Sequence, residues 1–312
     1  MKKGYVYTIS ILLLLGVLLA LHTAQTNNQQ PIANNQLRMI AMNDFLSDLE
    51  QDLERATFIA GFRSFLAIEE HLIDTTAYLD SLEDTFFEAI TKGTIQEQEY
   101  EILNNSALKD YFLRINYTAS QQGLIINLTT NNLVLSQVNP WSVRVTHEPT
   151  IYLLDARAGI EWNLTTTTTT NIPISNLQDP LYIIETNNRA PNEITRQEPP
   201  YYVHPTTNDT TNLEETMINS YYAASEQAPS FLQRYEGNNT PHEQGIQSLI
   251  NPELLSAQGI TIYDDRSLVD HLYFFEPGSA DWCDIQGLPV YFKIDDDNKV
   301  FYDLEGLDAS PC

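Results

Sequence analysis

The hydrophobic pattern of the chain begins with one uninterrupted apolar run. Residues 5–21, YVYTISILLLLGVLLAL, hold no charged side chain, and Lys2 and Lys3 stand directly before them. At 1.5 Å per residue, a helix that continues to Ala24 covers about 30 Å, which is the thickness of a bilayer's hydrocarbon core. The pattern therefore predicts a membrane anchor over residues 1–24.

A cleaved secretory signal is the alternative, since it also combines basic residues with an apolar run. Such a signal ends in small residues, whereas a cut after Ala24 would place His22 where a small residue is needed. No Lys or Arg follows the run until Arg38, so the positive-inside rule leaves the N-terminus in the cytoplasm. Both interpretations make the rest of the chain extracellular. The membrane-anchor interpretation also predicts a single-pass protein of the cell membrane.

Helical spacing dominates the next part of the chain. The polar segment 25–36 contains Pro31 and predicts a stalk or a break in the helix. From Leu37 and Ile40 onward, apolar residues recur mostly every three or four positions, which is typical of an amphipathic helix. The stretch 56–68, ATFIAGFRSFLAI, is nearly apolar all round and should be enclosed. Arg63 is expected in a buried or half-buried ion pair with a carboxylate, and the alternative is a ligand-binding role.

The remaining pattern predicts a helical segment over 37–110, with further helices at 75–91 and 95–108. Lys92 and Gly93 mark the end of the first of these two helices. An antiparallel β domain follows over 111–186, as a sheet or a sandwich, because short β-branched and aromatic runs alternate with Gly, Pro and Asn. Its predicted strands are 111–117, 124–128, 133–138, 141–146, 151–154 and 160–164.

The last third reads as a second unit. Residues 187–212 are rich in proline and poor in apolar residues, which predicts a linker. Residues 213–312 then predict a small α+β domain of short helices that ends in a hairpin with strands at 289–294 and 300–304. The fold class is therefore α+β, with an N-terminal transmembrane helix, a long amphipathic helix, a sandwich-like middle and a C-terminal α+β domain.

Charge narrows the classes of partner. The chain has 42 acidic and 16 basic residues and a net charge of −26. Such a surface repels nucleic acid and anionic lipid, and it suits a solvated coat in a salty or cation-rich medium. The acidic excess is largest in residues 213–312. The composition excludes a nucleic-acid-binding role.

Two features suit an exported protein. Two cysteines, Cys283 and Cys312, are too few for a structural zinc centre and predict a disulfide, within the chain or between chains. Six N-x-S/T sequons, of which about four are expected by chance from the composition, are candidates for glycosylation. They lie at Asn104, Asn116, Asn127, Asn163, Asn208 and Asn238.

The motifs contain no recognisable catalytic centre. Asp295 and Asp297 begin like a calcium loop, but Val300 stands where the loop needs glycine and Gly306 where it needs glutamate. A turn is therefore the favoured interpretation, with weak calcium binding left open. Clustered carboxylates between Glu253 and Asp284 are expected in so acidic a chain, and no catalytic residue or cofactor is predicted. The tryptophans and the tyrosine pairs at 201/202 and 221/222 serve either in packing or as a sugar-binding platform.

Lys2-Lys3-Gly4 followed by the apolar helix resembles the class III, or type IV prepilin, signal of archaeal and bacterial pilin-like proteins. The resemblance implies cleavage after Gly4, Tyr5 as the mature N-terminus, and an apolar segment that is retained. The pattern usually has Gln at the first mature position and Glu at the fifth, where this chain has Tyr5 and Ile9. The departure bears on polymerisation more than on export.

Several blocks of the chain, among them GFRSFLAIEE, QVNPWSVRV and ISNLQDPLYIIET, are similar to uncharacterised archaeal surface proteins that carry such a signal. Topology and resemblance together predict a membrane-anchored extracellular structural or adhesion protein, with copies of itself or other pilin-like subunits as partners. The alternative is a monomeric anchored protein that binds or hydrolyses glycans or peptides.

Overall fold

The structure, a computed structural model, describes residues 3–275 and 282–307, with side chains from residue 36 onward. Helix α1 (Lys3–Thr75) has 73 residues and runs without interruption through the segment 25–36, where a stalk or a break was expected. A single proline removes one backbone hydrogen bond, and here it does not end the helix. The predicted anchor lies outside the residues described with side chains. Among the residues described in full, no helix is long and apolar enough to cross a membrane.

The second half of α1 confirms the predicted amphipathic pattern. Met42, Leu53 and Ile68 are buried along one side of it, but Leu37 and Ile40, where the apolar side was expected to begin, are 66% and 55% exposed. The nearly apolar stretch 56–68 is mostly buried, except along a strip that contains Ile59 and Arg63. This half of the helix is therefore part of the core of the protein.

Helix α2 (Leu82–Lys92) has local signals at both ends. The Ser81 side chain accepts the Asp84 N–H at the start, and Gly93 follows the last residue with φ 72° and donates its N–H to the Ala89 carbonyl. Glycine takes this left-handed conformation without steric cost, so the predicted end of the helix is confirmed.

The predicted helix at 95–108 and the predicted strand at 111–117 are both wrong. Strands β1 (Thr94–Ile95) and β2 (Gln98–Glu99) form a small hairpin, a short 3₁₀ turn (Glu101–Leu103) follows, and α3 (Leu108–Gln121) comes next. The Glu88 carboxylate fixes the hairpin turn, since it accepts the backbone N–H groups of residues 96 and 97. The buried residues of α3 recur at helical spacing, which outweighs their aromatic and β-branched composition.

The middle of the chain forms one four-stranded antiparallel sheet. Strand β3 (Ile125–Asn139) pairs along its length with β4 (Ser142–Asp155). On the other edge of β4, β5 (Ile160–Thr165) pairs with its second half and β6 (Thr168–Pro173) with its first half. The six threonines at 165–170 thus lead into an edge strand.

The sheet is not half of a sandwich, which corrects the predicted architecture. Buried and partly exposed residues alternate strictly along β4, so one face of the sheet is covered. Helices α1 and α3 contact the strands, and no second sheet among the described residues covers that face. Pairs of predicted strands also merge into β3 and β4, because a register shift at Thr130 and Asn132 bends β3 without ending it.

Short elements make up the C-terminal part. They are α4 (Pro180–Glu185), α5 (Thr211–Ile218), β7 (Tyr222–Ala224), α6 (Phe231–Arg234), β8 (Ile246–Ser248), α7 (Pro252–Ala257), α8 (Asp270–Phe275), β9 (Trp282–Asp284), β10 (Lys293–Asp295) and α9 (Asp296–Phe301). β7 pairs with β8 and β9 with β10, both antiparallel. The α+β class is confirmed.

The predicted C-terminal hairpin is wrong. β10 pairs with β9 and not with a strand after it, because α9 begins at residue 296. The Asp295 side chain accepts the Asn298 N–H, and two more aspartates occupy the first turn, which are the signals of a helix N-terminus.

The predicted linker 187–212 is packed into the protein. Ile194, Tyr202 and Val203 are buried, and the Ile194 N–H donates to the Leu177 carbonyl at 2.8 Å. One cluster of buried apolar residues extends from α1 to Leu304, and a second lies between α1, α3 and the sheet. The C-terminal elements therefore share a core with the helix that leads to the predicted anchor.

Candidate functional site

The predicted processing site and the second cysteine lie outside the part of the chain described with side chains. Gly4 and Tyr5 precede residue 36, and Cys312 follows residue 307. Cys283 lies in β9, fully buried, with its Sγ 3.8 Å from Oδ1 of Asp296. Processing and the disulfide therefore stay predictions.

The aspartates of the rejected calcium motif have a structural role at the start of α9. Asp295 accepts the Asn298 N–H at 3.0 Å through Oδ1 and the Ser267 hydroxyl at 2.7 Å through Oδ2. Asp297 is exposed in the first turn of the helix. Within the described residues, no group of three or more acidic, histidine or cysteine side chains could hold a metal ion.

The six sequon asparagines share one property: each side chain is exposed. They lie in turns, loops, helix α3 and strands β3 and β5, at residues 104, 116, 127, 163, 208 and 238. Asparagine is usually exposed, so this distribution is compatible with glycosylation and does not require it.

The aromatic residues proposed as a sugar platform are not brought together. Trp141 stacks with Arg196, Trp282 lies under the ammonium of Lys293, and Trp162 packs on the second apolar cluster. Tyr202 is buried against Phe301 of α9, while Tyr222 is buried and donates its hydroxyl to Asp179. The packing role accounts for these residues.

A fully buried ionic cluster occupies the centre of the C-terminal part. Arg234, at the end of α6, directs Nη1 to Oδ2 of Asp179 at 2.6 Å and to Oδ2 of Asp270 at 2.9 Å. Tyr222 donates its hydroxyl to Asp179 at 2.7 Å, and Ser248 donates to Asp270 at 3.0 Å. The second guanidinium nitrogen, Nη2, donates to the Ile246 carbonyl. One side chain thus joins α6, α8 and β8 to the residue that caps the start of α4.

The cluster contains two carboxylates for one cation, and their pKa values are shifted in opposite directions. Burial raises the pKa of Asp179 by more than Arg234 lowers it. Burial also acts to raise the pKa of Asp270, but Arg234 and the neighbouring His271 outweigh this and hold it below its usual range. Because Arg234, Asp179 and Asp270 are all 0% exposed, the cluster can stabilise the fold but cannot receive a substrate.

The other carboxylates that the sequence offered as an acid and base pair do not assemble at a site. Glu253 in α7, Asp264 and Asp265 in the loop before α8, and Asp284 in β9 are exposed, and Asp270 alone of these belongs to the buried cluster. Glu276 and Asp281 lie outside the described residues. Nothing in this arrangement supplies a nucleophile together with its base.

An open groove of about 570 Å³ lies between α1 and α3. Arg55 and Arg63 line it from α1, and Arg114 lines it from α3. Ile59 lies midway between the two arginines of α1 and is 43% exposed. The other lining residues are Asp52, Ala56, Asn105, Ser106, Tyr111, Ile115 and Thr118.

The groove carries three cations and one carboxylate. Arg55 pairs with Asp52, and Arg114 donates Nη1 to the Asn105 carbonyl at 3.0 Å. Arg63 is exposed and makes no ion pair with any described residue, which corrects the expected buried pair. In a protein of net charge −26, this concentration of arginine forms a local positive region.

Tyr111 adds a polar group to the wall of the groove. Its hydroxyl is buried and has no partner with good hydrogen-bond geometry among the described residues. Burial, then the negative charge of Asp52 and a hydrogen bond to that carboxylate, raises the pKa of Tyr111, so the hydroxyl keeps its proton on the side of Asp52.

Sequence reasoning identified only one residue of this groove. Arg55, Ile59 and Arg63 are spaced by four residues, which places them on one side of a helix, and this signal is available in the sequence. Arg114 could not be assigned to the groove from the sequence, because the pattern of residues 111–117 predicts a strand. No protein-family model, curated protein or solved structure matches the chain.

Proposed function

We propose that the protein is a membrane-anchored extracellular structural or adhesion protein, related in its N-terminal design to pilin-like surface proteins. The observation that carries the proposal is the single helix α1, which continues from the apolar segment 5–24 into the core. A segment held in a membrane, or packed against copies of itself, would be connected to the outer domain without a flexible joint.

Three further properties support the proposal. The acidic surface suits a solvated exterior, and all six sequon asparagines are exposed. The basic pair at Lys2 and Lys3 favours a cytoplasmic N-terminus, and a cut after Gly4 would leave the apolar helix in place.

N-terminal processing tests this proposal directly. We expect mass spectrometry of membrane-extracted protein to find Tyr5 as the first residue, and we expect Gly4→Leu to leave the leader uncut. A mature protein that begins near Gln25 and is recovered from the medium would contradict the anchor. Electron microscopy of surface material with peptide mapping then distinguishes a filament from a dispersed protein.

The alternative function of an anchored binding protein gains support from the arginine-lined groove. A structural subunit needs no concave site with uncompensated charge, whereas a binding protein does. The two roles are compatible, because an adhesion protein must contact something outside its own cell surface.

A further inference from the structure

The arginine-lined groove between α1 and α3 has the size and charge of a binding site. Its volume of about 570 Å³ lies within the usual range for ligand pockets, about 300–1,000 Å³. Arginine recognises carboxylates through parallel N–H donors and does not lose its proton. Arg63 has these donors exposed and makes no ion pair among the described residues.

The spacing of the arginines constrains the ligand. Arg55 and Arg63 are eight residues apart on α1, which corresponds to about 12 Å along the helix axis. Ile59 lies midway between them on the same side and offers an apolar contact. In an extended peptide, residues one, three and five point to the same side, and the first and fifth are about 13 Å apart.

We propose that this groove binds a short extended peptide segment with acidic side chains at its first and fifth positions and an apolar side chain at its third. The two carboxylates pair with Arg55 and Arg63, and the apolar side chain contacts Ile59. Arg114 then faces the peptide from the α3 side. The inference concerns a binding partner and does not depend on the membrane anchor.

The walls of the groove favour a peptide over an acidic glycan. They present aliphatic residues, Ala56, Ile59 and Ile115, and the one aromatic residue in the lining, Tyr111, is buried. Sugars are commonly held by exposed aromatic rings, which this lining does not provide.

The partner is a segment of another protein and not a second copy of this chain. A second copy would bring its own net charge of −26 to the contact at this groove, whereas a partner protein of lower net charge can present the same two carboxylates with less repulsion.

Binding of a labelled peptide to the full chain in detergent micelles tests the proposal. The probe is fluorescein-labelled Glu-Ser-Leu-Ser-Glu with blocked ends, and the matched control is Gln-Ser-Leu-Ser-Gln. We expect fluorescence anisotropy to detect the first and not the second, with affinity that falls as salt rises. Arg63→Gln should weaken binding about tenfold, the loss expected from one charge-assisted contact.

Two variants separate this role from a structural one. Arg144→Gln removes an arginine from the opposite face of β4 and should leave the affinity unchanged. Asp52→Asn removes the carboxylate that pairs with Arg55, and it should tighten binding. A role in folding alone would not produce changes in opposite directions.

Several results would overturn the proposal. Equal binding of the glutamine peptide would show that charge is not recognised. Stronger competition by a uronate oligosaccharide than by unlabelled peptide would assign the groove to a glycan. Self-association in sedimentation that disappears in Arg63→Gln would assign it to a second copy. None of these results depends on where the N-terminus is cut, so the anchor proposal stands or fails separately.

Discussion

Two arginines of this protein occupy opposite environments. Arg234 is 0% exposed and contacts two carboxylates and a backbone carbonyl, whereas Arg63 is exposed at the groove and pairs with no described residue. A buried guanidinium must be compensated, because removing an uncompensated charge from water costs far more than folding provides. An exposed guanidinium has no such requirement. The same residue type therefore maintains the fold in one place and remains available to a ligand in the other.

Two buried groups without a counter-ion show a third solution, which is to become neutral. Burial raises the pKa of Glu69 to about 8, although the carboxylate accepts the Gln178 N–H, a hydrogen bond that acts to lower the pKa. Burial lowers the pKa of His147 to about 4, and its two ring nitrogens lie within 3.3 Å of the hydroxyls of Thr57 and Thr130. Glu69 and His147 are therefore held neutral, whereas Arg234 stays charged beside its two carboxylates.

The largest effect is expected from Arg234→Met. The change leaves Asp179 and Asp270 buried without their cation, and breaking a buried ion pair in this way costs about 3–5 kcal/mol. Urea denaturation of the full chain in micelles, followed by tryptophan fluorescence, measures the loss. Arg63→Met is the matched control. A loss below about 1 kcal/mol in Arg234→Met would mean that the carboxylates are already neutral in the native state.

The next effect concerns the pH dependence of Glu69. The carboxyl is neutral in the folded state up to about pH 8 but ionises near pH 4.5 in the unfolded state. Stability is therefore lost as pH rises between these values, by about 3 kcal/mol from pH 5 to 7.5. Glu69→Gln keeps an oxygen for the Gln178 N–H and should lack this slope. Parallel pH profiles for the two proteins would contradict the assignment.

His147 should give a smaller effect of opposite sign. It is neutral in the folded state down to about pH 4, whereas the unfolded side chain is protonated below about pH 6.5. Its contribution is complete above pH 6.5 and is lost as pH falls, by about 2.5 kcal/mol at pH 4.5. The difference in denaturation free energy between wild type and His147→Gln at each pH isolates this slope from that of Glu69. A difference that stays constant from pH 7 to 4.5 would show that the histidine is not buried.

The features predictable from sequence are those with local causes. The end of α2 was predicted because Lys92 and Gly93 are adjacent to it, and the amphipathic part of α1 because its buried residues repeat at helical spacing. The prediction of a strand at 300–304 is wrong because the short apolar pattern of this segment is compatible with a strand and with a helix. Capping of α9 by Asp295 was the local signal that would have corrected it.

The buried cluster could not be predicted. Arg234 lies 55 residues from Asp179 and 36 from Asp270, and no local pattern selects these two from 42 acidic residues. Residues 187–212 resemble a linker in composition, yet they are held by backbone hydrogen bonds to distant segments such as Leu177. Tertiary contacts decide such features, and composition does not record them.

The smallest effect, and the sharpest test of the comparison, is expected from Arg63→Gln. Arg63 is exposed and has no ion pair among the described residues, so its removal should change the free energy of unfolding by less than about 0.5 kcal/mol. The change has a direction: removing one of three neighbouring cations relieves repulsion, so the variant should be slightly the more stable at low salt and equal to wild type at high salt. Denaturation at the two salt concentrations, with Arg144→Gln in parallel, measures this. A loss of 2 kcal/mol or more would place Arg63 with Arg234 as a structural residue, and the groove would then no longer contrast with the core.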